Sequence, residues 1–295
     1  MIIMKRLLQV SFGLRRKLLE LADKYGDVYI DGENRYGACD LPLLEAKALG
    51  VEKIIHVGHS KFMNSDLPVE YVELREEYDP VPVLEKNLEK LKQFKKIGLL
   101  STIQFLNSLD LAKDFLEKNG IKGLIGKGGK RNYPGQILGC DISPALDIGK
   151  DVDAFLFIGS GKFHPLGVAL KYKKPVFILD VERSEIHDIE KLREKFLKQK
   201  YTAIGLAKYA KKFGILVSVK SGQMNVRLAE KLKEFLEKKG KTAYILVFNE
   251  IKPEKLENLG LDCFVNTACP RIPVEDRELY SKPMLSFDEL MESFK

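Results

Sequence analysis

The chain has 295 residues, 45% of them hydrophobic and 31% charged, with a formal net charge of +7. That length exceeds one small core and suits two or three compact units. No apolar run approaches the roughly 18 residues of a membrane span, and the opening MIIMKRLLQV lacks a signal-peptide pattern, so the expectation is a cytoplasmic protein with no membrane partner. The lysines recur in helical runs mixed with glutamate, LEKNLEKLKQFKK and KLREKFLKQK. They read as solvated helix faces and disfavour nucleic-acid binding. Four cysteines with no CxxC pair argue against a disulfide framework and leave any metal site to be assembled from distant segments.

In chain order, the β-prone run in MKRLLQVSFG is followed by the amphipathic LRRKLLELADKYG, then by the turn YGACD with Cys39. The helical CDLPLLEAKALG and the strand EKIIHVG come next, and Pro80 and Pro82 mark a boundary. The second unit repeats this with KIGLLSTIQF, LDLAKDFLEKNG, the turn ILGCD with Cys140, and the strand DAFLFIG. From Cys39 to Gly58 is nineteen residues, and from Cys140 to Gly159 nineteen again. A charged helix from about Glu182 to Lys212 leads into the third unit: FGILVSVKSG, VRLAEKLKEFLEKKG, FNEIKPEKLENLG and the strand LDCFVNT, with Cys269 just beyond. Strand–helix alternation with glycine at the helix ends predicts parallel sheets faced by helices. The expected fold is α/β, in three similar small domains over residues 1–90, 91–195 and 196–295, with one of Cys39, Cys140 and Cys269 in each.

In parallel sheets, functional groups collect at the carboxyl ends of the strands, where these three cysteines fall. Domains facing a common centre would bring three thiolates together. Three thiolates with no fourth suit an iron–sulfur cluster with one open iron; the alternative is that each is a small buried hydrophobe. The matched positions of Cys39 and Cys140 favour ligands. Cys263 alternates within an apolar strand and reads as packing, as does His56, whereas His187 reads as a solvated helix residue. Asp40 and Asp141 read as helix N-caps. GKGGKR at 126–131 is either an anion-binding loop or a flexible insertion, with the insertion favoured. GSGKFHPLG at 159–167 has Phe163 where a phosphate loop needs Ser or Thr, so it is no ATP site.

Seven segments in order, YGACD at 36–40, ALGVEKIIHVGHS at 48–60, STIQF at 101–105, PGQILGCD at 134–141, FIGSGKFHPLG at 157–167, NEIKPEKL at 249–256 and FVNTACPRI at 264–272, resemble the 2-(3-amino-3-carboxypropyl)histidine synthases, the first-step enzymes of diphthamide biosynthesis. The resemblance implies three related α/β units arranged pseudo-threefold around a central [4Fe–4S] cluster, held by Cys39, Cys140 and Cys269, in a homodimer of the archaeal type. It implies a non-standard radical use of S-adenosylmethionine: an electron from the reduced cluster cleaves the bond to the γ-carbon, and the 3-amino-3-carboxypropyl group passes to a histidine of translation elongation factor 2. An electron donor is implied as a partner. The CxxxCxxC motif of other radical enzymes is absent.

Within that family pattern, Gly159, Ser160 and Gly161 are candidate cofactor contacts, as are His59 and His164 in corresponding loops. Gln104 and Gln223, in the first loops of the second and third units, are candidates for the amino-acid end of the cofactor or for turn roles. Arg271 beside Cys269 is a candidate carboxylate partner. The rivals are a quinolinate synthase-like iron–sulfur enzyme, a non-catalytic partner subunit and an RNA-binding protein; YGACD, TIQF and ACPRI separate the chain from the first of these.

Overall fold

The computed structural model describes residues 4–274 and 277–295. Residues 1–3, part of the opening read for a leader, lie outside the described residues. Two compact units emerge, one of Met1–Gly161 and Lys174–Asp188, the other of Lys162–Lys173 and Ile189–Lys295.

The first unit contains two sheets. Sheet 1 is built from β1 (Arg6–Val10), β2 (Tyr29–Ile30), β3 (Lys53–Val57) and β4 (Val69–Val72), with α1 (Leu18–Tyr25) and α2 (Leu43–Leu49) between its strands. Helices α3 (Val81–Lys86) and α4 (Leu88–Leu91) lead to sheet 2, made of β5 (Lys96–Ser101), β6 (Lys122–Leu124), β7 (Ala154–Gly159), β8 (Val176–Asp180) and β9 (Glu185–Asp188). Helices α5 (Ser108–Lys118) and α6 (Ser143–Ile148) belong to this sheet's connections. Pro80 and Pro82 open α3, consistent with proline's fixed φ at a helix start.

In the second unit, sheet 3 consists of β10 (Lys212–Ser218), β11 (Thr242–Phe248), β12 (Cys263–Asn266) and β13 (Met284–Leu285). Its helices are α7 (Phe163–Lys171), α8 (Glu190–Tyr209), α9 (Val226–Lys238), α10 (Arg271–Val274) and α11 (Phe287–Ser293).

The three sheets share one strand order: β2-β1-β3-β4, β6-β5-β7-β8 and β11-β10-β12-β13, each parallel, with β9 added antiparallel to the edge of sheet 2. The central strands are continuous apolar runs because both faces are covered: Ile97 to Leu100 around Gly98, Ala154 to Ile158, and Ile215 to Val217 are all buried. In each sheet the second strand lies to one side of the first and the third to the other, so the crevice between the first and third strands at their carboxyl ends is a switch point, where open α/β sheets bind ligands.

One expected element differs. The charged stretch from Glu182 does not begin a helix: Asp180 accepts hydrogen bonds from the Glu182 and Arg183 amides, the chain reverses, and β9 pairs back onto β8 before α8 starts at Glu190. His187 therefore lies half-buried on an edge strand, not on a helix face. The strand was hidden because Ile186 is its one buried residue and polar or charged neighbours surround it.

Gly58 closes β3 at φ +109, where an added Cβ would lie 2.8 Å from Leu14 Cδ1 and collide with the Ser11 hydroxyl. Gly58→Ala combines that clash with a strained backbone and is expected to cost about 1–3 kcal/mol, read as a lower urea midpoint at unchanged slope.

Candidate metal centre

Cys39 is half-buried in the turn between β2 and α2, and that turn is built around a buried arginine. The Arg35 guanidinium donates through Nε to Asp31 (2.8 Å), through Nη1 to Asp40 (2.8 Å) and through Nη2 to Glu45 (2.8 Å). Arg35, Asp31 and Asp40 are all buried, and the acids hold the arginine's pKa above its ordinary value although burial alone pulls it down. Asp40 is thus an ion-pair partner and not the expected N-cap; Pro42 stands at the cap of α2. On its other side, the Asp40 carbonyl accepts a hydrogen bond from Gln9 Nε2 at 2.6 Å. The residue after Cys39 is therefore gripped by side chain and backbone at once.

Cys140 is exposed in the matching turn ahead of α6. The protein around it, then the charges of Cys39 and Asp141, push its thiol up to about 11, so Cys39 and Cys140 are electrostatic neighbours within the first unit. Asn132 Nδ2 donates to the Gln136 and Asp141 carbonyls, and Gln136 Oε1 accepts from the Tyr133 amide. Asp141 accepts from the Ser143 amide at 2.9 Å, one residue short of the expected cap geometry because Ile142 intervenes. The 126–131 segment is partly built into this turn: an added Cβ on Gly126 would run into the Pro144 carbonyl, and the Lys127 amide donates to Asp147.

The loop after β3 is stitched to sheet 2 as well. Gln104 Nε2 donates to the Gly58 carbonyl at 2.6 Å, and Gln136 Nε2 to the Ser60 hydroxyl at 3.2 Å. Gln104 thereby ties the loop after β3 to the loop after β5. His59 Nδ1 lies 3.0 Å from His56 Nε2, and His56 Nδ1 lies 2.6 Å from Gln9 Oε1. Gly159 ends β7, Ser160 follows it, and Gly161, at φ +78 with open space above its Cα, leaves a backbone a ligand could approach.

In the second unit, Cys269 is half-buried in the loop between β12 and α10; its carbonyl accepts from Asn266 Nδ2 at 2.9 Å. Two residues on, the Arg271 guanidinium lies 6.0 Å from the Phe163 ring centre. Burial, then the Arg271 charge, pulls His164 down to about 4, which keeps its imidazole neutral. Behind α10, buried Arg277 donates to both carboxylate oxygens of Glu289 at 2.7 Å and to the Pro273 carbonyl. Gln223 lies half-buried in the loop after β10, its backbone N–H donating to the Lys220 carbonyl. Cys263 is fully buried within β12, and burial raises its thiol to about 12.

The structure therefore places Cys39, His59, Gln104, Cys140, Gly159, Ser160 and Gly161 in the first unit, and His164, Gln223, Cys269 and Arg271 in the second. Among the described residues, no group of three or more His, Cys, Asp or Glu side chains is placed to hold a metal ion. Sequence reasoning missed Arg35 and Gln9. Gln9 did leave a signal, a polar residue inside the apolar run LLQV.

Comparison with known proteins bears on what these turns serve. The family model described as "Putative diphthamide synthesis protein" matches residues 5–295. This chain belongs to that family. It is 37% identical over 291 residues to the 2-(3-amino-3-carboxypropyl)histidine synthase of Pyrococcus horikoshii, covering 96% of this chain and 84% of that protein. It is 32% identical over 285 residues to the synthase of Methanocaldococcus jannaschii, covering 91% and 76%. The crystal structure of Dph2 from Pyrococcus horikoshii with a 4Fe-4S cluster superimposes with a TM-score of 0.88 at 36% identity, covering 98% of this chain and 86% of that one. The diphthamide family is thus one of enzymes, and its α/β architecture is the one expected from the sequence. No described helix is long and apolar enough to cross a membrane.

Two outcomes follow from the geometry. Arg35→Met strands Asp31 and Asp40 as buried charges without their partner and is expected to cost about 3–5 kcal/mol in urea unfolding. Burial, then His59, lowers His56 from 6.5 to about 3. A histidine with a lowered folded pKa stabilises fully above its unfolded value, and that stability is lost as the pH falls from 6.5 towards about 3. Urea midpoints should fall across that window, and less steeply in His56→Phe.

Proposed function

We propose that the chain is the 3-amino-3-carboxypropyl transferase of the first step of diphthamide biosynthesis, moving that group from S-adenosylmethionine to a histidine of translation elongation factor 2. The observation that carries the reading is the pair of matched turns that hold Cys39 ahead of α2 and Cys140 ahead of α6, within a chain 37% identical to a named synthase. Cys39, Cys140 and Cys269 are the proposed ligands of a [4Fe–4S] cluster. The donor set fits, since all three are thiols in loops and none is locked into a strand core as Cys263 is. Bound there, the cluster would supply the electron that splits the sulfonium's bond to the γ-carbon.

The protein's own part is to hold, orient and shield. Arg35 and Gln9 fix the Cys39 turn, while Asn132 and Gln136 fix that of Cys140. Ser160 and Gly161 offer exposed backbone for the cofactor, with open space above the Gly161 Cα, and Gly159, buried beside the Phe157 ring, is the third proposed contact of this loop. Arg271 is suited to the carboxylate of the transferred group, and His164, kept neutral beside it, to a hydrogen bond with the same group. His59, Gln104 and Gln223 complete the proposed contacts, Gln104 acting mainly by holding the loop that carries His59. We assign the protein to the cytoplasm as a homodimer served by a separate electron donor, in three domains over 1–90, 91–195 and 196–295.

The test is chromatography of the nucleoside product from anaerobically reconstituted protein with S-adenosylmethionine and dithionite. Methylthioadenosine from wild type, and none from Cys39→Ala, Cys140→Ala or Cys269→Ala, is expected. A verified iron–sulfur holoprotein that leaves S-adenosylmethionine intact overturns the assignment.

A further inference from the structure

The switch-point crevice of sheet 1 differs from those of the other two sheets. Where β1 and β3 pair, Gln9 lies opposite His56. At the matching register sheet 2 pairs Leu100 with Phe157, and sheet 3 pairs Ile215 with Val265. All six residues are buried. A packed apolar pair is the repeat's ordinary solution, so two polar side chains here carry a desolvation cost that only a complete set of hydrogen bonds offsets.

That set is directional. Gln9 Nε2 donates to the Asp40 carbonyl, so its Oε1 faces His56 as the acceptor. His56 Nδ1 must then carry the proton, and in the neutral ring Nε2 accepts from His59 Nδ1–H. Tyr71, edge-on to the His56 ring at 5.6 Å between centroids, packs against the relay from β4.

We propose that Gln9 and His56 are positioning residues for the transfer reaction proposed above: they carry the placement of the Cys39 turn through the switch point to His59 and fix His59 as the Nδ1–H tautomer, its proton facing His56. Because His59 is followed by Ser60, which accepts from Gln136, the same chain of contacts continues to the Cys140 turn. The two cysteine turns of the first unit are thereby held in one hydrogen-bonded frame, and His56 remains neutral and able to accept at any physiological pH.

The test uses the full-length, metal-free chain. With four histidines in the sequence, long-range proton–nitrogen NMR correlations resolve each ring's tautomer. His56 and His59 should both show Nδ1–H. Gln9→Leu and His56→Phe substitute apolar residues of the kind the other sheets place here, so both variants should fold, as circular dichroism will check. In either, His59 should shift towards the Nε2–H form that free imidazole favours in water. In Gln9→Leu, Cys39 should also alkylate about three- to tenfold faster, the size expected for one lost hydrogen bond. An Nε2–H His59 in the wild type overturns the relay, as does a His59 tautomer unmoved in a folded variant. None of these readouts needs S-adenosylmethionine, so failure of the transferase reading would leave them intact.

Discussion

The first unit's site depends on burying one arginine. Arg35 spends three of its nitrogens on Asp31, Asp40 and Glu45, and the first two of these acids are themselves buried. Such a network adds little net stability over an apolar core, because desolvation offsets most of the attraction. Its effect is geometric. A planar guanidinium accepts few arrangements of carboxylates, so it dictates where the chain runs between β2 and α2. Cys39 is placed because its neighbour Asp40 is placed.

The repeat explains why such devices are needed. Parallel sheets of one strand order, copied three times, bring a loop to each carboxyl edge but specify no chemistry there. Each copy has diverged in its own way. Sheet 1 uses Arg35 and the Gln9–His56 pair, sheet 2 uses the amides of Asn132 and Gln136, and sheet 3 backs α10 with Arg277 and Glu289. The apolar interior is the conserved part of the architecture within this chain, and the polar groups at the strand ends are the specialised part.

A thiol donor set held by hydrogen-bonded turns suits chemistry in which the cofactor does the bond breaking and the protein supplies orientation. The charges agree with that division. His56 and His164 are kept neutral by burial, and Arg271 provides a fixed positive charge two residues from Cys269. Neutral through the physiological range, neither imidazole is poised to shuttle protons there.

The sequence by itself determined the α/β class, the threefold rhythm and the three cysteine-bearing loops, because hydrophobic period, helix-ending glycines and equal spacing are local properties of the chain. It also separated Cys263, embedded in an apolar strand, from the loop cysteines. It misplaced what depends on partners far away along the chain. Asp40 resembles a cap until Arg35 is seen beside it, and Glu185–Asp188 resembles the start of a helix until β8 offers an edge. Gln9 and His56 stand forty-seven residues apart and acquire meaning only when β1 and β3 pair. Tertiary structure decided these because a buried charge or amide is tolerable only where its partner lies, and no local pattern of residues carries that information.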